Sequence, residues 1–81
     1  MEVTNTMADF EPGDRVRFTT EHLGAARKNG PPGKMIEKTY SLGDEGTVET
    51  VTLPDGWIAV TPDDDEHVYV PVHPGMIEKI R

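Results

Sequence analysis

Cysteine is absent from this chain, so neither a disulfide framework nor a thiolate metal site can supplement its core. The same absence favours a reducing compartment, and a cytoplasmic location is the expectation. Serine occurs once, at Ser41. Nothing resembles a nucleophile elbow, a phosphate-cradling glycine loop or a histidine-carboxylate helix motif, so no catalytic residue is assigned. The adjacent carboxylates Asp44 and Glu45 lack any inferable pocket that would shift them toward acid-base work. The chain therefore reads as a non-enzyme, or as a non-catalytic subunit of an enzyme. Apolar runs near the roughly 20 residues of a membrane span are missing. The opening MEVTNTMADF lacks the basic, apolar, small-residue plan of a signal peptide. Aromatic residues make up 6% of the 81 residues, which leaves room for one domain with one small core.

Charge is present but unevenly placed. The net charge is −7, and residues 41–81 hold nine acidic side chains against two basic ones, whereas residues 1–40 hold six of each. Within 22–40 the cations Arg27, Lys28, Lys34 and Lys38 face Glu37 alone. A local positive segment thus sits on a negative body, which argues against nucleic-acid binding by the whole surface.

The acidic run DDDEH, residues 63–67, raises a metal hypothesis. Counted from Asp63 as the first loop position, the sixth residue is Val68 and the twelfth is Pro74, where an EF-hand loop needs glycine and glutamate. A solvated acidic turn fits better. His67 and His73 are six residues apart, about 20 Å in a strand, too far to share an ion. His22 is a lone loop histidine, and no metal or cofactor is expected.

Residues 1–9 are polar and aperiodic and read as a flexible leader, with a single domain over 10–81. In FEPGDRVRF a turn precedes Val16 and Phe18, which alternate with Arg15 and Arg17 as in a half-buried strand. LGDEGTVETV supplies a second strand, and the spacing of Val48 and Val51 implies a bulge or a short helical kink. TLPDGW signals a reverse turn, followed by the strands WIAV and HVYVPV across the acidic connection TPDDDE. Pairing Ile58 with Tyr69 places Trp57, Ala59, Val68 and Val70 on the core side, and leaves Ile58, Val60, His67 and Tyr69 on the other. Pro74 and Gly75 break the fourth strand, and Ile77 and Ile80 return to the core through a turn or a short fifth strand. The fold class is all-β. Five short strands make a small closed or nearly closed barrel with a long Gly/Pro-rich loop over residues 20–42, between the first two strands.

The order Phe10-x-x-Gly13-Asp14-x-Val16-Arg17, a long loop, Gly43-x-x-Gly46-x-Val48, a hairpin and a closing MIEKI resembles the SH3-like barrel superfamily over residues 10–81. The opening is similar to the barrel of the nitrile hydratase beta subunit, and GDEGTV is similar to the turn of KOW-type modules. The hydratase-type loop carries a His-Thr-Arg pattern where this chain reads His22-Leu23-Gly24-Ala25-Ala26-Arg27, so no functional residue is carried over. With no catalytic site in view, the expected function is a protein-interaction module serving as an accessory or regulatory subunit of a larger protein.

Two surfaces are candidates for partner binding. One is the cationic loop, with Arg27, Lys28, Lys34 and Lys38 facing a partner while Leu23, Met35, Ile36 and Tyr40 anchor it. The other is an apolar patch of Ile58, Val60 and Tyr69, open to a partner or a second copy. Two other readings remain: a nucleic-acid or ribonucleoprotein module using Arg15, Arg17 and the loop lysines, and an acidic nucleic-acid mimic using Asp63, Asp64, Asp65 and Glu66.

Overall fold

The computed structural model describes residues 10–31 and 34–80, so the expected leader, residues 1–9, lies outside the described residues. The architecture is all-β. Seven strands, β1 (Arg15–Phe18), β2 (His22–Arg27), β3 (Met35–Tyr40), β4 (Glu45–Thr50), β5 (Ile58–Pro62), β6 (Val68–Val72) and β7 (Ile77–Lys79), form one antiparallel sheet in the order β3-β2-β6-β5-β4-β1-β7. Among the described residues no helix is long and apolar enough to cross a membrane.

Strand count and loop both depart from the sequence expectation. Residues 22–40 form a hairpin of β2 and β3, with His22 opposite Tyr40 and Ala26 opposite Met35, where an irregular loop was expected between the first two strands. A bulge conceals the pattern. Gly24 takes φ +111°, a left-handed region that side chains with a Cβ rarely adopt, and the ladder register shifts between Leu23 and Ala25. The shift breaks the period-2 alternation of β2 and leaves a run of small residues with weak strand preference.

The sheet does not close into a ladder-complete barrel: β3 and β7 are its two ends and do not pair with each other. It nevertheless wraps round one core. Phe18 of β1 and Tyr40 of β3, five places apart in the sheet order, bring their rings to 5.8 Å. Backbone bonds from Gly43 N to Phe18 O at 2.8 Å and from Thr19 N to Met76 O at 2.9 Å hold the same corner. Every strand contributes to the buried cluster: Val16, Phe18, Ala25, Tyr40, Val48, Ile58, Val60, Val68, Val70, Val72 and Ile77.

The β5–β6 register is Ile58 opposite Val72, Ala59 opposite Pro71 and Val60 opposite Val70, not Ile58 opposite Tyr69. The cause is that Thr61 and Pro62 extend β5 and β6 starts at Val68 instead of His67, which displaces the register by three. This odd displacement exchanges the faces of β5, while Val68 and Val70 stay in the core as expected. Ile58 and Val60 are core residues at 2% and 0% exposure, and Trp57 is half-buried against His73 with ring centroids 4.0 Å apart.

Other local readings hold. The ladder shifts between Val48 and Thr50, a bulge that lets Val51 pack against the core. Residues 54–56 make a tight turn in which Asp55 takes the left-handed conformation at φ 62°. Pro74–Met76 makes a second tight turn before β7, which pairs with β1; Ile77 joins the core as expected, whereas Ile80 is half-buried and outside it.

Candidate interaction surface

Bulge and register together decide what the β2–β3 hairpin shows to solvent. On β3, Ile36, Lys38 and Tyr40 turn inward, while Met35, Glu37 and Thr39 are exposed. Leu23 stands opposite Thr39 and Ala26 opposite Met35, and residues opposed in an antiparallel ladder share a face. Ala26 is also opposite Tyr69 of β6. The outer face therefore carries a cross-strand row Met35, Ala26, Tyr69 with Leu23 beside it. Leu23 is 76% and Met35 48% exposed. The third exposed large apolar side chain among the described residues, Leu42, is in the turn between β3 and β4. Because Gly24 lacks a Cβ, the Met35 methyl can lie 3.4 Å from where that atom would be.

The expected cationic residues divide into two pairs. Lys28 bonds Glu49 at 3.2 Å, and this contact, with a hydrogen bond from Thr61, holds the Glu49 carboxyl below its ordinary range. Lys38 bonds Asp65 at 3.2 Å and lies 3.7 Å from Asp64. Contact with Tyr40 and then the bond to Asp65 raise its pKa. Both lysines thus answer the chain's own carboxylates rather than solvent. Arg27 and Lys34 are exposed and have no ion-pair partner among the described residues. They line a concavity of about 260 Å³ with Gly30, Pro31 and Ile36. Of the apolar patch expected at Ile58, Val60 and Tyr69, only Tyr69 reaches the surface, half-buried; the other two are in the core, as the β5–β6 register requires.

The acidic turn is similarly committed. Arg15 holds Asp63 through two bonds of 2.8 Å and reaches Glu45 at 3.2 Å, which lowers the Asp63 pKa. The Tyr40 hydroxyl donates to Asp64 at 3.1 Å, and burial pushes that phenol up. The Asp65 carboxylate accepts from the His67 N–H at 2.9 Å, which with Lys38 lowers its pKa. Elsewhere Arg17 pairs with Glu78, and Lys79 with Asp14 at 3.4 Å. Among the described residues no group of three or more His, Asp or Glu side chains can hold a metal ion.

His22, expected as a lone loop histidine, opens β2 and packs against Phe18 with ring centroids 5.0 Å apart. Burial lowers its pKa from the ordinary 6.5. The folded state then binds fewer protons than the unfolded chain near and below that pH, so stability is complete above it and falls as pH drops. Thermal unfolding of the wild-type chain is expected to shift down by about 2–4 °C between pH 7.5 and 5.5. The same scan of His22→Leu is expected to be flat over that interval; an equal slope in both would clear His22 of the effect. A further loss follows in stronger acid, as Asp63, Asp65 and Glu49 protonate below their ordinary ranges.

Sequence reading missed Leu23 and Met35 as surface residues because it used both as loop anchors. The usable signal was the alternation in MIEKTY, which puts Ile36, Lys38 and Tyr40 on one face and Met35 on the other. No family model, no curated protein and no solved structure matches the chain.

Proposed function

We propose that this chain is a non-enzymatic interaction module: an SH3-like curled sheet that docks on a larger protein as an accessory or regulatory subunit, through the outer face of the β2–β3 hairpin. One observation carries the reading. Leu23 and Met35, two exposed apolar side chains, share one face of one hairpin, and such grouping on a small rigid scaffold marks contact surfaces. The wrapped seven-stranded sheet supports the SH3-like scaffold.

The nucleic-acid reading has less to draw on. Among the described residues Arg15, Arg17, Lys28, Lys38 and Lys79 each have a carboxylate partner, leaving Arg27 and Lys34 there, in a chain of net charge −7. The internal bonds of Asp63, Asp64 and Asp65 likewise weigh against an acidic mimic.

The test is affinity capture from the source cell with a Leu23→Glu, Met35→Glu double variant. Each change is at an exposed site, so stability is expected to move by no more than about 0.5 kcal/mol per substitution. Partner recovery is expected to fall at least about tenfold, as for the loss of central contact residues. Full recovery with the fold intact by circular dichroism would remove the hairpin face from the site.

A further inference from the structure

We propose that β3 is a strand-addition edge, and that its partner is an extended segment alternating apolar and acidic residues. The inference rests on the hairpin being the docking surface, and it names how and by what chemistry the surface is used. β3 is six residues long and is the end strand of the sheet, paired on one side with β2. An end strand presents a row of backbone N–H and C=O groups that another chain can complete. An open groove of about 610 Å³ lies over the hairpin beside that edge, lined by Leu23 and Gly24 of β2 and residues 35–39 of β3. The opposite end, β7, has three residues, too few for a comparable ladder.

Side-chain parity sets the partner's pattern. An added strand continues both faces of the sheet. On the outer face its side chains adjoin Met35 and Leu23, which favours apolar residues. On the inner face they adjoin Lys34, Ile36 and Lys38, and Arg27 and Lys34 supply positive charge beside the apolar Ile36. An alternating acidic and apolar segment matches both rows.

A second copy of this chain does not in the registers that overlap the two β3 strands most. A two-fold axis perpendicular to the sheet keeps each face aligned with itself, so opposed residues must have the same parity. Centred on Glu37 the pairing sets Glu37 against Glu37; centred on Lys38 it sets Lys38 against Lys38; centred on Ile36 it sets Lys34 against Lys38. Like charges directly opposed are destabilising. Glu37, the inward Lys38 and the bulge at Gly24 are the devices by which sheet edges resist self-pairing. They leave the edge open to a complementary chain.

The probe is a capped peptide of alternating valine and glutamate, about ten residues long to match a strand, added to the 81-residue chain at about 1 mM. Amide hydrogen exchange followed by NMR reports the contact. Exchange at the β3 amides that point away from β2 is expected to slow at least tenfold. That protection is expected to vanish with a peptide N-methylated on its docking edge, with lysine in place of glutamate, and with an Arg27→Glu, Lys34→Glu chain. Binding by the N-methylated peptide equal to that of its parent would overturn strand addition. So would protection at β7 instead of β3, or no slowing at β3 with any peptide. A dimer by light scattering with β3 already protected in the absence of peptide would overturn the choice of partner in favour of a second copy. If the peptide fails while the Leu23→Glu, Met35→Glu chain still loses its cellular partner, strand addition falls and hairpin docking stands. If that variant keeps its partner, the docking reading itself falls, whatever the peptide does.

Discussion

Phe18→Ala is expected to cost about 3–5 kcal/mol, the range for deleting a fully buried aromatic ring. Phe18 is 1% exposed and does more than fill volume. It is opposite Ile77 in the β1–β7 ladder, its ring meets His22 and Tyr40, and its backbone bonds both Gly43 and Asp44 at 2.8 Å. It is therefore the point at which one end of the sheet is packed against the other. A chain of this size has roughly 4–12 kcal/mol of stability in total. The variant is thus expected to be close to unfolded at 37 °C. Urea denaturation checks this through a lowered midpoint at an unchanged slope. A loss below about 1 kcal/mol would mean that the sheet does not wrap round this ring.

Gly46→Ala is expected to be nearly as damaging, for a different reason. Gly46 is on the central strand β4, opposite Val16 on one side and Pro62 on the other. A Cβ placed there would be 2.5 Å from the Thr61 carbonyl oxygen and 2.8 Å from a Val60 methyl. The oxygen is backbone, so it cannot retreat without prying β5 from β4. Overpacking of this kind costs about 1–3 kcal/mol when side chains can yield, and a backbone clash places this site at or above the upper limit. A fall in the unfolding midpoint of at least about 12 °C is expected. Gly75→Ala is the control: nothing is within 4 Å of its added Cβ, and the change is expected to be neutral or slightly stabilising. Similar midpoints for the two variants would show that the β4–β5 ladder is looser than described.

The all-β class was legible because its cues are local. Val16 and Phe18 alternate with arginines, Pro54-Asp55-Gly56 turns the chain, and Val68, Val70 and Val72 keep a strict period of two. The bulge after Val48 was legible too, since two valines three apart cannot share a face without one. The β2–β3 hairpin was not. The Gly24 bulge disrupts one strand's alternation, and the glycines and prolines that mark its tip read equally well as an irregular loop. The β5–β6 register was lost at both ends of the turn: β5 runs to Pro62 instead of Val60 and β6 starts at Val68 instead of His67, a displacement of three that put the β5 side chains on the wrong face while Val68 and Val70 were read correctly as core. Ile58 and Val60 were thereby read as surface and Trp57 as core. Charge pairing was illegible for a physical reason as well. The acidic turn of 63–67 is remote in sequence from Arg15 and Lys38, and only the wrapping of the sheet brings them together. Arg27 and Lys34 keep the exposed positive character foreseen for all four cations.

The most direct measurement of the docking surface is the amount of partner retained by the Leu23→Glu, Met35→Glu chain relative to a Leu42→Glu chain. Leu42 is 71% exposed and undergoes the same chemical change away from the hairpin face. Expected are near wild-type retention by Leu42→Glu and at least about tenfold less by the double variant, with both folded. Equal retention by the two chains would contradict docking through the β2–β3 hairpin.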